Sequence, residues 1–229
     1  MKRAFPIFAI VTAGLLTFAL YEALVVAPTE QTMGDVQRIF YYHVPSAWTA
    51  FLLFFINFGA SLVYLIKRNT KADILALVSA EVGVVFCTVV LVTGPIWARP
   101  VWGIWWTWDM RLTLTLVLWL IYVSYLVLRR FSSGSQTPLI AAVLAIFGAL
   151  DVPLVYFSIW YFRTQHPSPV IGRGGELDPR MAHVLLINWL AFSCFAFLVC
   201  WSRYRLEQVK RDVDETQALE ALLETRSVR

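Results

Sequence analysis

Between residues 97 and 111 the chain carries five tryptophans (Trp97, Trp102, Trp105, Trp106 and Trp108), one carboxylate (Asp109) and two guanidinium groups (Arg99 and Arg111). Indole faces supply broad contact area at small entropic cost. A planar guanidinium can grip a carboxylate with two parallel hydrogen bonds. A flat ligand with acidic edges, such as haem, suits that combination. Trp is enriched at membrane interfaces, but five within twelve residues exceed what an interfacial belt needs.

Three histidines add a second kind of chemistry. His43 lies in Tyr41-Tyr42-His43-Val44-Pro45, His166 follows Arg163-Thr164-Gln165, and His183 follows Asp178-Pro179 at the start of an apolar run. Neutral imidazole is a good ligand for haem iron. By position alone, either His166 or His183 can partner His43. Arg38, Arg99 and Arg111 are candidates to meet the carboxylates of an anionic ligand, or else to pair with Asp35, Asp109 or lipid headgroups.

The elements that must position these groups are legible in the composition. Of 229 residues, 59% are hydrophobic, and the mean hydropathy is +0.66. A polytopic membrane protein carries that much apolar surface and a soluble domain does not. Six stretches are long enough to cross a bilayer: Phe5–Val26, Ala47–Ile66, Ile74–Pro95, Leu112–Leu128, Pro138–Trp160 and Met181–Trp201. Backbone in lipid must satisfy its own hydrogen bonds, which predicts an all-α fold, a six-transmembrane-helix bundle. The first run is too long for the apolar core of a signal peptide and reads as a retained span. The expected organisation is a membrane domain over 1–202, with the Trp-rich loop at 96–111, and an amphipathic tail over 203–229. In the tail Leu206, Val209, Val213, Leu219 and Leu222 recur at near-helical spacing.

Lys and Arg set the orientation. Thirteen flank one side of the six spans and six flank the other, so both termini are expected in the cytoplasm. The loops at about 27–46, 96–111 and 161–180 then face outward, and they hold every unusual element. If the Trp-rich loop lies as a helix along the surface, Trp102, Trp105, Trp106 and Asp109 share one face. Glu22, Glu81 and Asp151 fall within spans, where ionisable groups are costly and face a bundle interior or pair with one another.

Several function classes are excluded or disfavoured. No phosphate-binding P-loop, zinc-protease or serine-hydrolase motif occurs, so nothing indicates an enzyme. Gly172-Arg173-Gly174-Gly175 reads as a flexible loop. The basic residues flank spans and form no nucleic-acid patch. Cys87, Cys194 and Cys200 sit in apolar runs with no C-x-x-C-H, which supports neither a disulfide framework nor covalent haem attachment.

The string W-G-I-W-W-T-W-D at 102–109, with G-P-I-W-A upstream at 94–98, resembles the WWD signature of haem-handling proteins of cytochrome c maturation. With Y-Y-H-V-P-S-A-W at 41–48 and six spans, the chain resembles the CcmC family over nearly its whole length. The resemblance implies haem b, held transiently and without a covalent bond at the outer face of the inner membrane. That haem is presented to the periplasmic haem chaperone CcmE. Expected partners are the ABC transporter subunits CcmA and CcmB, the small membrane subunit CcmD and membrane lipids, with no nucleic acid. It further implies that His43 and a second outer histidine ligate the iron. The aromatic-aromatic-x-Thr-x-His pattern at Tyr161–His166 favours His166 over His183. Trp97, Trp102 and Asp109 match haem-contacting positions of the family, as Arg38 and Arg111 match its arginines. Trp105, Trp106 and Trp108 complete the aromatic platform.

Three rival readings are weaker. An electron-transfer cytochrome needs histidines deep in the spans, and there are none. A transporter working through Glu81 and Asp151 leaves the Trp-rich loop unexplained. A haem lyase attaching haem to apocytochrome c is usually longer, with more spans.

Overall fold

A computed structural model of the chain describes residues 3–132, 134–167 and 177–227. The glycine-rich stretch at 172–175, including Arg173, lies outside the described residues, as do Ser168 and Pro169. Six helices are long and apolar enough to cross a membrane. They are α1 (Ala4–Tyr21), α2 (Phe40–Lys67), α3 (Thr70–Trp102), α4 (Met110–Phe131), α5 (Thr137–Tyr161) and α6 (Pro179–Ser227). No sheet forms among the described residues; Glu30 and Gly34 make one isolated bridge.

Local chemistry sets the ends of these helices. α1 widens into a π-helical turn at Glu22–Val26 and stops before Pro28, which cannot donate to a further turn. α2 is entered through a 3₁₀ turn at Asp35–Ile39. Between α2 and α3, Arg68 takes a left-handed conformation at φ 52°. The Asn69 side chain then accepts from the Lys71 and Ala72 amides at 2.9 and 3.2 Å, capping α3.

α2 lies at the centre of the bundle, packed on α3, α5 and α6, while α1 packs chiefly on α6 and α4 on α3 and α5. Phe54 of α2 stacks on Tyr122 of α4 with centroids 3.8 Å apart. Gly83 permits this approach, because a Cβ there would stand 2.7 Å from the Phe54 ring. Lipid gives no hydrophobic drive between helices, so buried polar groups help bind them. Asn57 donates to the Ala76 carbonyl at 2.7 Å, and Asn188 to the Ala19 carbonyl at 3.3 Å.

The end of α3 departs from expectation. α3 does not stop at Pro95; it continues through Pro95 and Pro100 to Trp102. The Trp-rich segment is therefore no surface helix. Gly103, at φ 79°, ends α3 in the left-handed region, and 104–109 is irregular. Trp102, Trp105, Trp106 and Asp109 do not share a helical face. α6 runs unbroken past residue 202. Its extension is pinned to the bundle by Arg211, which meets Asp73 of α3 at 2.8 Å beside Arg129 of α4, also at 2.8 Å.

Candidate functional site

The start of α2, the end of α3 and the segment after α5 converge at one end of the bundle. His43 stands in the first turn of α2, half-buried. His166 follows α5 in an irregular stretch, its amide held by the Thr164 hydroxyl at 3.1 Å. The two imidazole centroids lie 6.4 Å apart with ring planes 34° from parallel. Metal–nitrogen bonds of about 2 Å, with each ring centre about 1 Å behind its nitrogen, put two rings about 6 Å apart across one metal. The spacing fits a single iron between them.

The hydrogen bonds fix which nitrogen is free. His166 Nδ1 lies 2.9 Å from the Pro167 carbonyl, which can only accept, so Nδ1 carries the proton. His43 Nδ1 lies 2.8 Å from Thr93 Oγ1. The Thr93 hydroxyl donates its one proton to the Val89 carbonyl at 2.7 Å, so it accepts from His43. Both rings therefore keep an unprotonated Nε2, the lone pair a metal takes. Burial first, and then the nearby Arg111 charge, push His166 down to about 4. His183 is exposed on α6, and no ring contact joins it to His43 or His166 among the described residues.

The tryptophans form two groups. Trp97 and Trp102, on the last turns of α3, meet edge to face at 5.3 Å. Trp106 and Trp108 do so at 5.7 Å in the loop beyond. Trp105 and Trp108 are exposed, at 59% and 76%. The Trp106 indole N–H is buried without a partner among the described residues, leaving a donor available to an acidic group.

The charged candidates separate into different tasks. Arg111, on the first turn of α4, is close enough to both imidazoles to act on them electrostatically. Among the described residues its guanidinium makes one hydrogen bond, a long one of 3.5 Å to the Tyr156 carbonyl. Asp109 caps α4: one carboxylate oxygen accepts from the Leu112 amide at 3.1 Å and the other from the Thr107 hydroxyl at 2.8 Å. Arg38 donates to the Ala23 carbonyl at 2.8 Å and to Asp35 at 3.1 Å, closing the π-helical end of α1. Arg99 is exposed and donates to the Gly103 carbonyl. Of the intramembrane carboxylates, Glu81 pairs with Arg203. Asp151 is buried with one oxygen unpartnered among the described residues, and Glu22 is half-buried in the π-helical turn.

Thr93, which meets His43 Nδ1 at 2.8 Å, was not singled out by the sequence. Its signal was present: a hydroxyl in an apolar run, four residues before Trp97 and so on the same face of α3.

The model of the family described as CcmC, Heme exporter protein C, matches residues 1–219. Heme exporter protein C of Bradyrhizobium diazoefficiens is 34% identical over 222 residues, covering 96% of this chain and 84% of the relative. The protein of that name from Escherichia coli K12 is 31% identical over 195 residues, 85% of this chain and 77% of the relative. A ccmC-like mitochondrial protein of cytochrome c biosynthesis from Marchantia polymorpha is 32% identical over 185 residues, 80% of this chain and 78% of the relative. With a matching pattern that spans nearly all of its length, six apolar helices included, the chain belongs to the CcmC, or Heme exporter protein C, family.

Proposed function

We propose that this chain holds haem b between His43 and His166 at the outer face of the inner membrane and presents it to CcmE. Family membership carries the coarser part: a multi-pass membrane protein that handles haem in cytochrome c maturation. The finer reading rests on one observation, the facing imidazoles at 6.4 Å with both Nδ1 atoms committed as donors.

In this reading the iron takes the two Nε2 lone pairs. Trp97, Trp102, Trp105, Trp106 and Trp108 flank the porphyrin. Arg111 and the Trp106 indole N–H meet the propionates. Asp109 acts by holding the loop in place. Arg38 acts by fixing the α1 end beside the 3₁₀ turn that leads to His43. Haem is cargo: it enters and leaves by ligand exchange, with no covalent bond to the chain and no turnover chemistry. CcmA, CcmB and CcmD work beside the chain, and lipid surrounds it. In this reading both termini face the cytoplasm, which the Lys and Arg bias supports. A transporter built on Glu81 loses support, because that carboxylate is spent on Arg203.

The test is the absorption spectrum of purified protein after haem loading. His43→Ala and His166→Ala should weaken or shift the haem band, and His183→Ala should leave it unchanged. Wild-type spectra from all three would end the bis-histidine reading.

A further inference from the structure

The contact between His43 and α3 goes beyond closing a gap in the packing. Thr93 is half-buried in the span and its hydroxyl has one proton, which the Val89 carbonyl takes at 2.7 Å. Bonding back to the carbonyl four residues earlier is the usual resort of a helical threonine in an apolar setting. It leaves Oγ1 as an acceptor with a fixed direction. His43 Nδ1 meets that acceptor at 2.8 Å. Next to it, Gly94 presents no side chain, and the His43 Cε1 edge rests where a Cβ would stand 3.5 Å away. One turn of α3 thus supplies a point that holds the ring and a flat place for its edge. The same helix carries Trp97 four residues further on.

We propose that Thr93 is the positioning residue of the haem site. Its hydroxyl oxygen holds His43 in the Nδ1–H tautomer and sets the ring's rotation, so that Nε2 is presented to iron. The proposal rests on the reading of His43 as an iron ligand and deepens it. An imidazole that donates through its second nitrogen is oriented and is a stronger base towards metal, and loss of such a partner typically lowers metal affinity about 10- to 100-fold. Thr93 reaches the iron only through His43. Because α3 also carries Trp97 and Trp102, the hydroxyl ties the ligand's rotation to the helix that bears the aromatic platform.

The experiment compares full-length wild type, Thr93→Val, Thr93→Ser and His43→Ala in detergent, with haem added as the probe. Valine keeps the shape and removes the acceptor; serine keeps the acceptor. Three quantities are read: haem affinity, the low-spin signature in electron paramagnetic resonance, and the reduction potential. A fourth is the ¹⁵N shift of His43 in the haem-free protein, which reports the tautomer. Expected for Thr93→Val are affinity lower by roughly 10-fold or more, an altered low-spin signature, a more positive potential and loss of the Nδ1–H tautomer. Thr93→Ser should match wild type in all four. If Thr93→Val matches wild type while His43→Ala loses haem, the proposal is overturned and the ligand reading stands. Equal losses in Thr93→Val and Thr93→Ser would mean a packing role and also overturn it. If His43→Ala binds haem as wild type does, the ligand reading fails, and the proposal with it.

Discussion

Arg203 of α6 reaches both carboxylate oxygens of Glu81 on α3, at 2.9 and 2.8 Å. This pairing neutralises a carboxylate on a span and joins two helices remote in sequence. Both side chains remain about one-third exposed, so solvent and headgroups screen the pair. Arg203→Ala should cost about 1–2 kcal/mol, below the roughly 3–5 kcal/mol of a fully buried broken pair. The double change Glu81→Gln with Arg203→Gln should recover most of the loss in thermal stability in detergent. Haem loading should not change in either. A haem defect in Glu81→Gln with unchanged stability would return the carboxylate to a transport role.

Asp109 spends its carboxylate on the Leu112 amide and the Thr107 hydroxyl. Asn caps helices about as well as Asp, whereas Ala costs about 1 kcal/mol. Asp109→Asn should therefore keep most haem binding, and Asp109→Ala should weaken it by loosening the loop that holds Trp106 and Trp108. A haem titration of both variants decides. Equal damage from Asn and Ala would point to the negative charge itself.

Gly103 sits at φ 79° with open space around its α-carbon. Alanine there meets no clash but pays about 1–2 kcal/mol for the left-handed backbone. The strain falls between Trp102 and the loop tryptophans. Gly103→Ala should shift Trp fluorescence and lower haem affinity while the six spans remain intact by circular dichroism.

Arg38 and Arg111 are both matched to family arginines, yet their surroundings differ. Arg38 is bound to the Ala23 carbonyl and to Asp35, while Arg111 is near enough to both imidazoles to act on them electrostatically. Arg111→Ala should reduce haem affinity without changing proteolysis of the α1–α2 connection. Arg38→Ala should expose that connection to protease, and lysine should not rescue it, because an ammonium has no planar fork. Identical haem defects with no protease difference would contradict this division.

His166 is held at about 4, below the ordinary 6.5, by burial and by Arg111. Between those values the folded chain binds fewer protons than the unfolded one, so this ring's contribution to stability falls as pH drops through the window. The ring itself stays neutral, with its lone pair available, until pH approaches 4. In the haem-free protein, nuclear magnetic resonance should place its titration midpoint near 4. A midpoint at the unperturbed value of about 6.5 would show a solvated ring.

The spans were readable because they rest on composition and run length. Six apolar runs of bilayer length appear as six helices. The course of α3 through Pro95 and Pro100 was not readable, since a proline pattern alone signals a stop. Nor was the capping role of Asp109, where an acidic residue beside tryptophans reads first as a ligand contact. Thr93 and His43 stand 50 positions apart, and their pairing depends on the packing of α2 on α3. Local periodicity carries no information about such a register.

α6 is one unbroken helix of 49 residues, about 74 Å long at 1.5 Å per residue. Near its beginning Met181, Val184 and Leu185 pack with Tyr41, two positions from His43. Further along, Arg203 and Arg211 fasten it to Glu81 and Asp73. A bilayer crossing takes about 20 residues, so a helix of this length carries its packing on Tyr41 and its two ion pairs on a single rigid axis, and none of these contacts can shift its register along that axis without the others.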